Sequence, residues 1–251
     1  MRILVVSDIH ANWAALAAID EPFDVCLCLG DLVDYGPDPL ACVRWAMTHA
    51  TYAIRGNHDH GVSQGIPVTG QSGFRYLTQC SRPSMWEALG PEERLYLLQL
   101  PVTRRFTLAG RRFLLVHATP RDPLDEYLLK DPTTWSKRLH NVDADIVCVG
   151  HTHFQFNIQV NGVTVLNPGS VGLPRDGDPR AAFAVIEDNK IMLKRAQYPV
   201  ETTVARVESM PWPRRAKDIT TCVLRLGRLP AQFDEGEPST ASDDEPDTDE
   251  E

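Results

Sequence analysis

Short runs of apolar residues, each ending in polar side chains, recur along the first part of the chain. The first two runs are RILVVSD (Arg2 to Asp8) and DVCLCLGD (Asp24 to Asp31), and the alanine-rich stretch NWAALAAI separates them. Nearly continuous apolar runs of this length are typical of strands buried on both faces. The pattern therefore predicts a strand, a helix and a second strand of a parallel sheet whose two faces are both covered.

The same pattern continues beyond the turn-forming GPDP segment. LACVRWAMTHA predicts a second helix, and TYAIRGNHD (Thr51 to Asp59) predicts a third strand with its own polar end. The glycine-rich stretch from Gly61 to Gly73 predicts a loop. GPEERLYLLQLP (Gly90 to Pro101) predicts a helix, because a proline and two acidic residues stand near its start.

Three later segments alternate around turn-forming dipeptides and predict β-hairpins. Their turns fall at Ala109-Gly110, Asn161-Gly162 and Asp188-Asn189. The segment DADIVCVGHTH repeats the apolar run with a polar end, and Glu201 to Leu229 predicts helical pieces interrupted by PWP. Together these elements predict an α/β fold in which a two-sheet β-sandwich is flanked by helices. Polar groups collect at the carboxyl ends of the strands, where such sheets bind ligands.

Acidic residues are concentrated at the end of the chain. The 251 residues have a formal net charge of −9, but Asp234 to Glu251 contains ten acidic residues and no basic ones, which leaves the rest at +1. We predict one domain at residues 1–233 and a disordered acidic tail at 234–251, because the tail cannot bury enough apolar surface to offset its ordering entropy. The tail suits a solubility role better than a specific contact. The nearly neutral domain argues against strong general binding to nucleic acid.

The six cysteines are scattered and form no C-x-x-C motif. Four of them lie inside apolar segments, which indicates buried free thiols in a reducing compartment. The N-terminal apolar run Ile3 to Val6 is too short for a signal peptide, and no stretch has the length of a membrane span. We therefore expect a cytoplasmic protein with no membrane partner. The sequence leaves its oligomeric state open.

Side chains that bind metals follow the predicted strands in five segments of the chain. They are Asp8 and His10, Asp31, Asn57 and His58, His117, and His151 and His153. Oxygen and imidazole donors without thiolate suit Mn, Fe, Zn or Ni, and we favour Mn. Apart from His58 they give seven plausible ligands, too many for one four-coordinate ion, and the carboxylate of Asp31 has two oxygens with which to bridge. The sequence therefore predicts two divalent metal ions, a pair that promotes displacement at phosphorus when about 3.5–4 Å apart.

The segments SDIH, GDLVD, GNHD, VHATP and VGHTH occur in this order. They resemble the motifs of the calcineurin-like metallophosphoesterase superfamily, and most closely those of its small bacterial and archaeal phosphodiesterases and phosphatases. The resemblance covers most of residues 1–200, and NPGSVGLPRDGDP (Asn167 to Pro179) also resembles that group. It implies the family's two-sheet fold with the active site at the carboxyl ends of the strands. It also implies hydrolysis of a phosphodiester or phosphomonoester by a hydroxide held between the two metals.

The resemblance further implies a role for each motif residue. One ion is held by Asp8, His10, Asp31 and His153, and the other by Asp31, Asn57, His117 and His151. His58 is the general acid for the leaving group, and Asp34 orients it through a hydrogen bond. The serine/threonine phosphatase branch has arginine after that aspartate, whereas this chain has Tyr35. This difference counts against the protein phosphatase activity of that branch.

Some of these residues also have plain structural interpretations. Asp34 suits a turn, and Asp8 and Asp31, at the ends of predicted strands, suit capping of the turns or helices that follow them. Asn12 suits either a contact with the substrate phosphate or the N-cap of the helix that follows it. Arg121 and Arg175 suit either hydrogen bonds to a phosphoryl oxygen of the substrate or exposed positions on the protein surface without such a role.

The leading functional hypothesis is a metal-dependent phosphoesterase acting on a small phosphate ester. One alternative is a nucleotide hydrolase that cleaves a dinucleoside polyphosphate or a cyclic nucleotide. In the segment Gly61 to Leu100, the side chains of Phe74, Tyr76 and Trp86 suit either stacking on a base or packing of a helical subregion. A second alternative is a non-catalytic scaffold of the same fold, but a scaffold is expected to lose ligands and none is missing here.

Overall fold

Two five-stranded mixed sheets lie face to face in the computed structural model, which describes residues 1–233. The first sheet has the order β10-β9-β1-β2-β3 and contains β1 (Arg2–Val6), β2 (Val25–Cys28), β3 (Tyr52–Ala53), β9 (Ala181–Glu187) and β10 (Lys190–Ala196). The second has the order β4-β5-β6-β8-β7 and contains β4 (Thr103–Leu108), β5 (Arg111–Val116), β6 (Ile146–Cys148), β7 (Gln155–Val160) and β8 (Val163–Pro168). The predicted acidic tail, residues 234–251, lies outside the described residues.

Eight helices surround the sheets within the described part of the chain. They are α1 (Trp13–Ala17), α2 (Pro39–His49), α3 (Asn57–Ser63), α4 (Gly73–Ala88), α5 (Pro91–Gln99), α6 (Pro132–Arg138), α7 (Val200–Ser209) and α8 (Arg214–Leu226), and a 3-10 turn follows at Ala231–Phe233. The two-sheet sandwich flanked by helices confirms the fold class predicted from the sequence.

Each sheet contains three neighbouring parallel strands. Strand β1 pairs in parallel with β2, and β2 with β3; in the second sheet β6 runs parallel to both β5 and β8. The remaining pairings are antiparallel: β9 pairs with β1, and three hairpins join β9 to β10, β4 to β5 and β7 to β8. The carboxyl ends of the parallel strands are therefore the places where the following loops converge.

Alternate residues of β1 enter different cores. Ile3 and Val5 pack with Leu115 and other residues between the two sheets, whereas Leu4 and Val6 pack with the helices outside the first sheet. All five side chains are at most 4% exposed. This explains why the strand is apolar without interruption: a period of two distributes successive side chains between two buried faces.

The three predicted hairpins are confirmed, with turns at the predicted dipeptides. Both residues of each turn have positive φ: 49° and 75° at Ala109-Gly110, 51° and 81° at Asn161-Gly162, and 49° and 62° at Asp188-Asn189. Two left-handed residues match the twist of the flanking strands, which is why asparagine, aspartate and glycine are favoured there.

The predicted third strand is wrong beyond Ala53. The strand β3 has only two residues, and Asn57 begins helix α3. The cause is Asp59, whose side chain accepts a hydrogen bond from the backbone N–H of Gly56 (3.1 Å) and so stabilises a helix start. The predicted loop from Gly61 is also too long, since α3 continues to Ser63.

Helix α4 was not predicted, because its buried face is unusually polar. Thr78, Ser81 and Arg82 are buried together with Leu77 and Met85. The apolar repeat that normally identifies a helix is therefore interrupted by residues that usually lie on the surface. Helix α6 was also not predicted.

The structure agrees with the prediction that the cysteines are free and mostly buried. All six cysteines are free, and Cys26, Cys28, Cys42 and Cys148 are buried. Within residues 1–233, no helix combines the length and the apolar character needed to cross a lipid bilayer.

A substitution at Leu115 tests the packing of the core between the two sheets, because this residue is 0% exposed. Leu115→Ala should lower the free energy of unfolding by about 2–5 kcal/mol, because buried methyl groups are lost and a cavity remains. Leu193→Ala, at a β10 side chain that is 40% exposed, should change it by no more than about 0.5 kcal/mol. Urea denaturation followed by circular dichroism measures both; equal losses would contradict this placement of Leu115.

Candidate metal centre

Carboxylates and imidazoles from distant parts of the chain meet in one cluster at the carboxyl ends of the parallel strands. Asp8 and His10 follow β1, Asp31 follows β2, Asn57 and His58 begin α3, His117 follows β5, and His151 and His153 follow β6. Asp8, His10, Asp31, His117 and His153 are each at most 1% exposed. Charged and titratable groups are seldom buried to this extent without partners.

The first group of donors consists of Asp8, His10 and His153, whose donor atoms all lie within 4.8 Å of one another. Nε2 of His153 is 3.3 Å from Oδ1 of Asp8 and 3.1 Å from Nε2 of His10. The Nδ1 atoms donate to backbone carbonyls, from His10 to Val33 at 2.9 Å and from His153 to Leu173 at 2.5 Å. Each neutral ring therefore turns the lone pair of its Nε2 toward the other. Two facing lone pairs repel, and a cation between them removes the conflict.

The second group consists of Asp31, His117 and His151, whose donor atoms also lie within 4.8 Å of one another. Nε2 of His117 is 3.1 Å from Oδ2 of Asp31 but makes no hydrogen bond of acceptable geometry. Its Nδ1 donates to the carbonyl of Leu29 at 2.7 Å, which fixes the ring. The Oδ1 atom of Asn57 is buried and has no hydrogen-bond partner. Such buried polar atoms are uncommon in folded proteins, and a bound water or ion is one of the explanations for them.

Asp31 faces both groups. Its Oδ2 atom is 3.1 Å from Nε2 of His117 in the second group and 3.8 Å from Nε2 of His10 in the first. Its Oδ1 atom accepts a hydrogen bond from the backbone N–H of His58 at 2.9 Å. The carboxylate is thus held at the junction, which is the position that a bridging ligand requires.

The donor set fits divalent metal ions. It contains two carboxylates, one amide and four imidazoles, which suit borderline ions such as Mn, Fe, Zn or Ni. Bound cations would give partners to the unpartnered atoms of Asn57 and His117 and would separate the facing nitrogens of His10 and His153. The residues present therefore fit the metal group that the motifs imply.

Electrostatics in the cluster keep most donors in their ligand form. Burial lowers the pKa of His10 and of His153, so both imidazoles are neutral. Burial alone would raise the pKa of Asp8, but the neighbouring imidazoles of His153 and His117 lower it. Burial likewise opposes a charged His117, yet the carboxylate of Asp31 raises the pKa of His117 to about 10. Without metal, a proton is therefore shared where a cation binds, and metal binding displaces it.

The loops of the site have an unusual backbone. Of thirteen non-glycine residues with positive φ in residues 1–233, eight lie in these loops. They are Asp8, His10, Ala11, Asp31, Asp34, Tyr35, His151 and His153. Each costs on the order of 1–3 kcal/mol and persists only where the surrounding structure imposes it. The side chains of the cluster are thus held in place at a cost to stability, as is common at functional sites.

Asp59 ties two of the loops together. Its carboxylate accepts hydrogen bonds from the backbone N–H groups of Asp31 (2.7 Å), Leu32 (2.8 Å) and Gly56 (3.1 Å). Burial and the charge of Asp31 raise the pKa of Asp59 to about 7. A Cβ atom at Gly56 would lie only 2.1 Å from Oδ1 of Asp31, so the loops need glycine here. Asp59 was not among the site residues predicted from the sequence.

The hydrogen bond that the resemblance implied between Asp34 and His58 is present, at 2.7 Å between Oδ2 and Nδ1. The Nε2 atom of His58 lies 3.2 Å from the hydroxyl of Tyr35. Arg82 contacts the same carboxylate through Nη2 at 2.5 Å and Nε at 3.1 Å. Sequence reasoning missed Arg82, because it lies 48 residues from Asp34 and belongs to none of the motifs.

The three predicted substrate-binding residues differ in their surroundings. Asn12 caps α1 through Ala15 N–H and also contacts Thr203, Gly172 and Tyr198, so its amide has no free hydrogen-bonding capacity and the N-cap role is favoured. Arg121 is largely exposed and pairs with Glu126 at 3.5 Å. Arg175 is half-buried, with its guanidinium carbon 3.6 Å from the ring centroid of Phe74. After burial, its charge is the next largest contribution to lowering the pKa of His153.

The comparison with protein families agrees with this geometry. The model of the calcineurin-like phosphoesterase superfamily domain matches residues 1–190. The chain therefore belongs to the calcineurin-like phosphoesterase superfamily.

Three similar proteins illustrate this membership. An uncharacterised protein of Methanocaldococcus jannaschii is 29% identical over 231 residues, which cover 82% of this chain and 91% of that protein. The phosphodiesterase YfcE of Escherichia coli is 23% identical over 75% of this chain and 89% of its own length. The crystal structure of a metallophosphoesterase from Sphaerobacter thermophilus superimposes with a TM-score of 0.76 at 29% identity, covering 90% of this chain and 99% of that one.

The role of Asp59 is testable through metal binding. Asp59→Asn replaces an acceptor oxygen by an amide NH₂ that faces backbone N–H groups, so the loop carrying Asp31 should shift and Mn²⁺ affinity should fall by about 10–100-fold. Glu92→Gln, at an exposed residue of α5, is the matched control and should bind as the wild type does. Calorimetric titration of Mn²⁺ into metal-free protein measures both. Wild-type affinity in a folded Asp59→Asn protein would refute this role.

Proposed function

We propose that this protein is a dinuclear, metal-dependent phosphoesterase that hydrolyses a small phosphodiester or phosphomonoester by direct attack of water, without a covalent intermediate. The observation that carries the proposal is the largely buried cluster of two carboxylates and four imidazoles, together with the unpartnered ligand atoms of His117 and Asn57. A bound metal pair would supply the positive charge that holds a phosphoryl group and makes water a nucleophile at neutral pH. None of the seven predicted donors is missing, which argues against a scaffold that has lost catalysis.

In this proposal the two groups of donors hold one ion each. Asp8, His10, Asp31 and His153 would hold the first, and Asp31, Asn57, His117 and His151 the second. The division is supported by the closeness of Asp8, His10 and His153 to one another, by that of Asp31, His117 and His151, and by the position of Asp31 near both His10 and His117. Mn²⁺ is the favoured ion, since oxygen and nitrogen donors without thiolate surround the site.

His58 is the proposed general acid. Its donor atom lies within 4.8 Å of those of His10 and Asp31, so the imidazole borders the cluster. The carboxylate of Asp34 holds Nδ1, which leaves Nε2 as the nitrogen that gives a proton to the leaving oxygen. His58 is 8% exposed, so it is largely shielded from solvent but not fully enclosed.

Arg175 is the stronger candidate for binding the phosphate. Its guanidinium is stacked on Phe74, and its Nε atom is buried without a hydrogen-bond partner. A fixed guanidinium with a free donor suits a phosphoryl oxygen. Arg121, which already pairs with Glu126, remains the weaker candidate.

A nucleotide phosphate is the second candidate substrate. Tyr127 is 50% exposed, and its ring centroid is 5.9 Å from that of His151. Its hydroxyl donates to the carbonyl of Thr152 at 3.1 Å, which holds the ring at the edge of the site. An exposed aromatic ring in this position suits stacking on a base. A panel of nucleotide, cyclic nucleotide and simple aryl esters would separate the two substrate classes.

The free thiols support a cytoplasmic location for this activity, since a reducing compartment keeps cysteines unpaired. The substrate is therefore expected among the small phosphate esters of the cytoplasm.

The central test is hydrolysis by the Mn²⁺-loaded protein. Wild-type protein should cleave bis-p-nitrophenyl phosphate or p-nitrophenyl phosphate, and His58→Ala should lower kcat by about 10²–10⁴-fold, because proton transfer to the leaving group is lost. Metal content, measured by elemental analysis, should stay unchanged in this variant. His49→Ala, at an exposed histidine of α2, is the control and should keep wild-type turnover.

Two outcomes would contradict the proposal. If the loaded wild type cleaves neither ester nor any member of the nucleotide panel, the protein is not a phosphoesterase of this kind. If His58→Ala loses metal in proportion to activity, His58 is a ligand rather than the acid.

A further inference from the structure

Helix α4 reaches the active site through a buried arginine. Arg82 is 5% exposed, and its Nη2 and Nε atoms donate to Oδ2 of Asp34 at 2.5 and 3.1 Å. Its Nη1 donates to the carbonyl of Ile66 at 3.0 Å. Since three of its nitrogens have partners, the guanidinium is fixed in orientation as well as in position.

The same carboxylate holds the proposed general acid. Oδ2 of Asp34 is 2.7 Å from Nδ1 of His58, so Arg82, Asp34 and His58 form a continuous buried chain of charge-assisted hydrogen bonds. Asp34 is 0% exposed and has a left-handed backbone (φ 64°). Its carboxylate therefore depends on Arg82 for its charge partner and for its orientation.

Helix α4 also holds the backbone of this turn. The N–H of Asp34 donates to Sδ of Met85 at 3.2 Å, and the N–H of Tyr35 donates to Oγ of Ser81 at 3.0 Å. Asp34 and Tyr35 are consecutive left-handed residues, so their conformation requires outside support. The polar side chains on the buried face of α4, which interrupted its apolar pattern, supply that support.

The second nitrogen of His58 is also connected to α4. The hydroxyl of Tyr35 lies 3.2 Å from Nε2 of His58 and accepts from Oγ1 of Thr78 at 3.2 Å. Helix α3, which carries His58, packs against the guanidinium from the other side, because a Cβ at Gly61 would lie 2.2 Å from Nη1 of Arg82. Arg82 is thus enclosed between the two helices.

The geometry points to Arg82 as the positioning residue for proton transfer by His58, with α4 as the element that supports it. This inference rests on the proposed function, since it concerns the acid step of that reaction. A guanidinium that donates twice to one carboxylate oxygen fixes Asp34, and the fixed carboxylate selects the tautomer and the plane of the His58 ring. The competing explanation is an ion pair that only stabilises the fold.

Kinetics with matched leaving groups separate these explanations. Arg82→Met and Arg82→Lys should lower kcat by about 10–100-fold, with KM and bound Mn²⁺ close to wild type. The loss should be larger for phenyl phosphate than for p-nitrophenyl phosphate, because the poorer leaving group depends more on protonation. Arg75→Met, at an exposed arginine on the same helix, is the control and should match the wild type with both esters.

A double-mutant cycle with His58→Ala gives an independent readout. If Arg82 acts through His58, Arg82→Met should have little further effect on kcat once His58 is alanine. If Arg82 only stabilises the fold, its effect should be the same in both backgrounds. Equal effects, or equal losses with both esters, would overturn the inference.

Proton NMR tests the chain of hydrogen bonds without turnover. The Nδ1 proton of His58 should give a low-field signal that is absent in His58→Ala, lost in Arg82→Met and kept in Arg75→Met. An unchanged signal in Arg82→Met would overturn the inference. If Arg82→Met does not fold, the same signal is measured in Arg82→Lys, which keeps the buried positive charge. Lack of activity in the wild type itself would refute the proposed function rather than this inference.

Discussion

The structure depends on one electrostatic constraint: two carboxylates, Asp8 and Asp31, are buried among imidazoles whose lone pairs face one another. At 0–1% exposure neither carboxylate has water to stabilise its charge. A proton on His117 compensates this charge only partly, and the facing nitrogens of His10 and His153 remain 3.1 Å apart. Cations in the cluster resolve both problems at once, which is why the arrangement is best understood as a metal centre.

The fold supplies this arrangement through its parallel strands. Strands buried on both faces end abruptly, and the residues that follow turn through left-handed conformations, which aim Asp8, His10, Asp31, His151 and His153 into one place. Asp59 holds the loop after β2 to the start of α3, and backbone carbonyls fix the Nδ1 atoms of the histidine rings. The strain in these loops is offset by the apolar cores on both faces of the sheets.

Much of this was predictable because the signals are local. An apolar run with a polar end places Asp8, Asp31 and the pair His151 and His153 without knowledge of the fold, and dipeptides such as Asn161-Gly162 mark the hairpins. The contact of Arg82 with Asp34 spans 48 residues and leaves no local signal. Asn12 illustrates the same limit. Its hydrogen bond with Thr203 joins residues 191 positions apart in the chain, and this contact favours a structural role for Asn12 over substrate binding. Only packing of elements distant in the chain reveals such partners.

The account as a whole depends on paired cations at the junction formed by Asp31. Anomalous diffraction from a crystal soaked in Mn²⁺ tests this most directly. The account predicts two peaks about 3.5–4 Å apart, one beside each group of donors and both in contact with Asp31. A map with no peak there, or with a single ion that leaves either group of donors unoccupied, would contradict it.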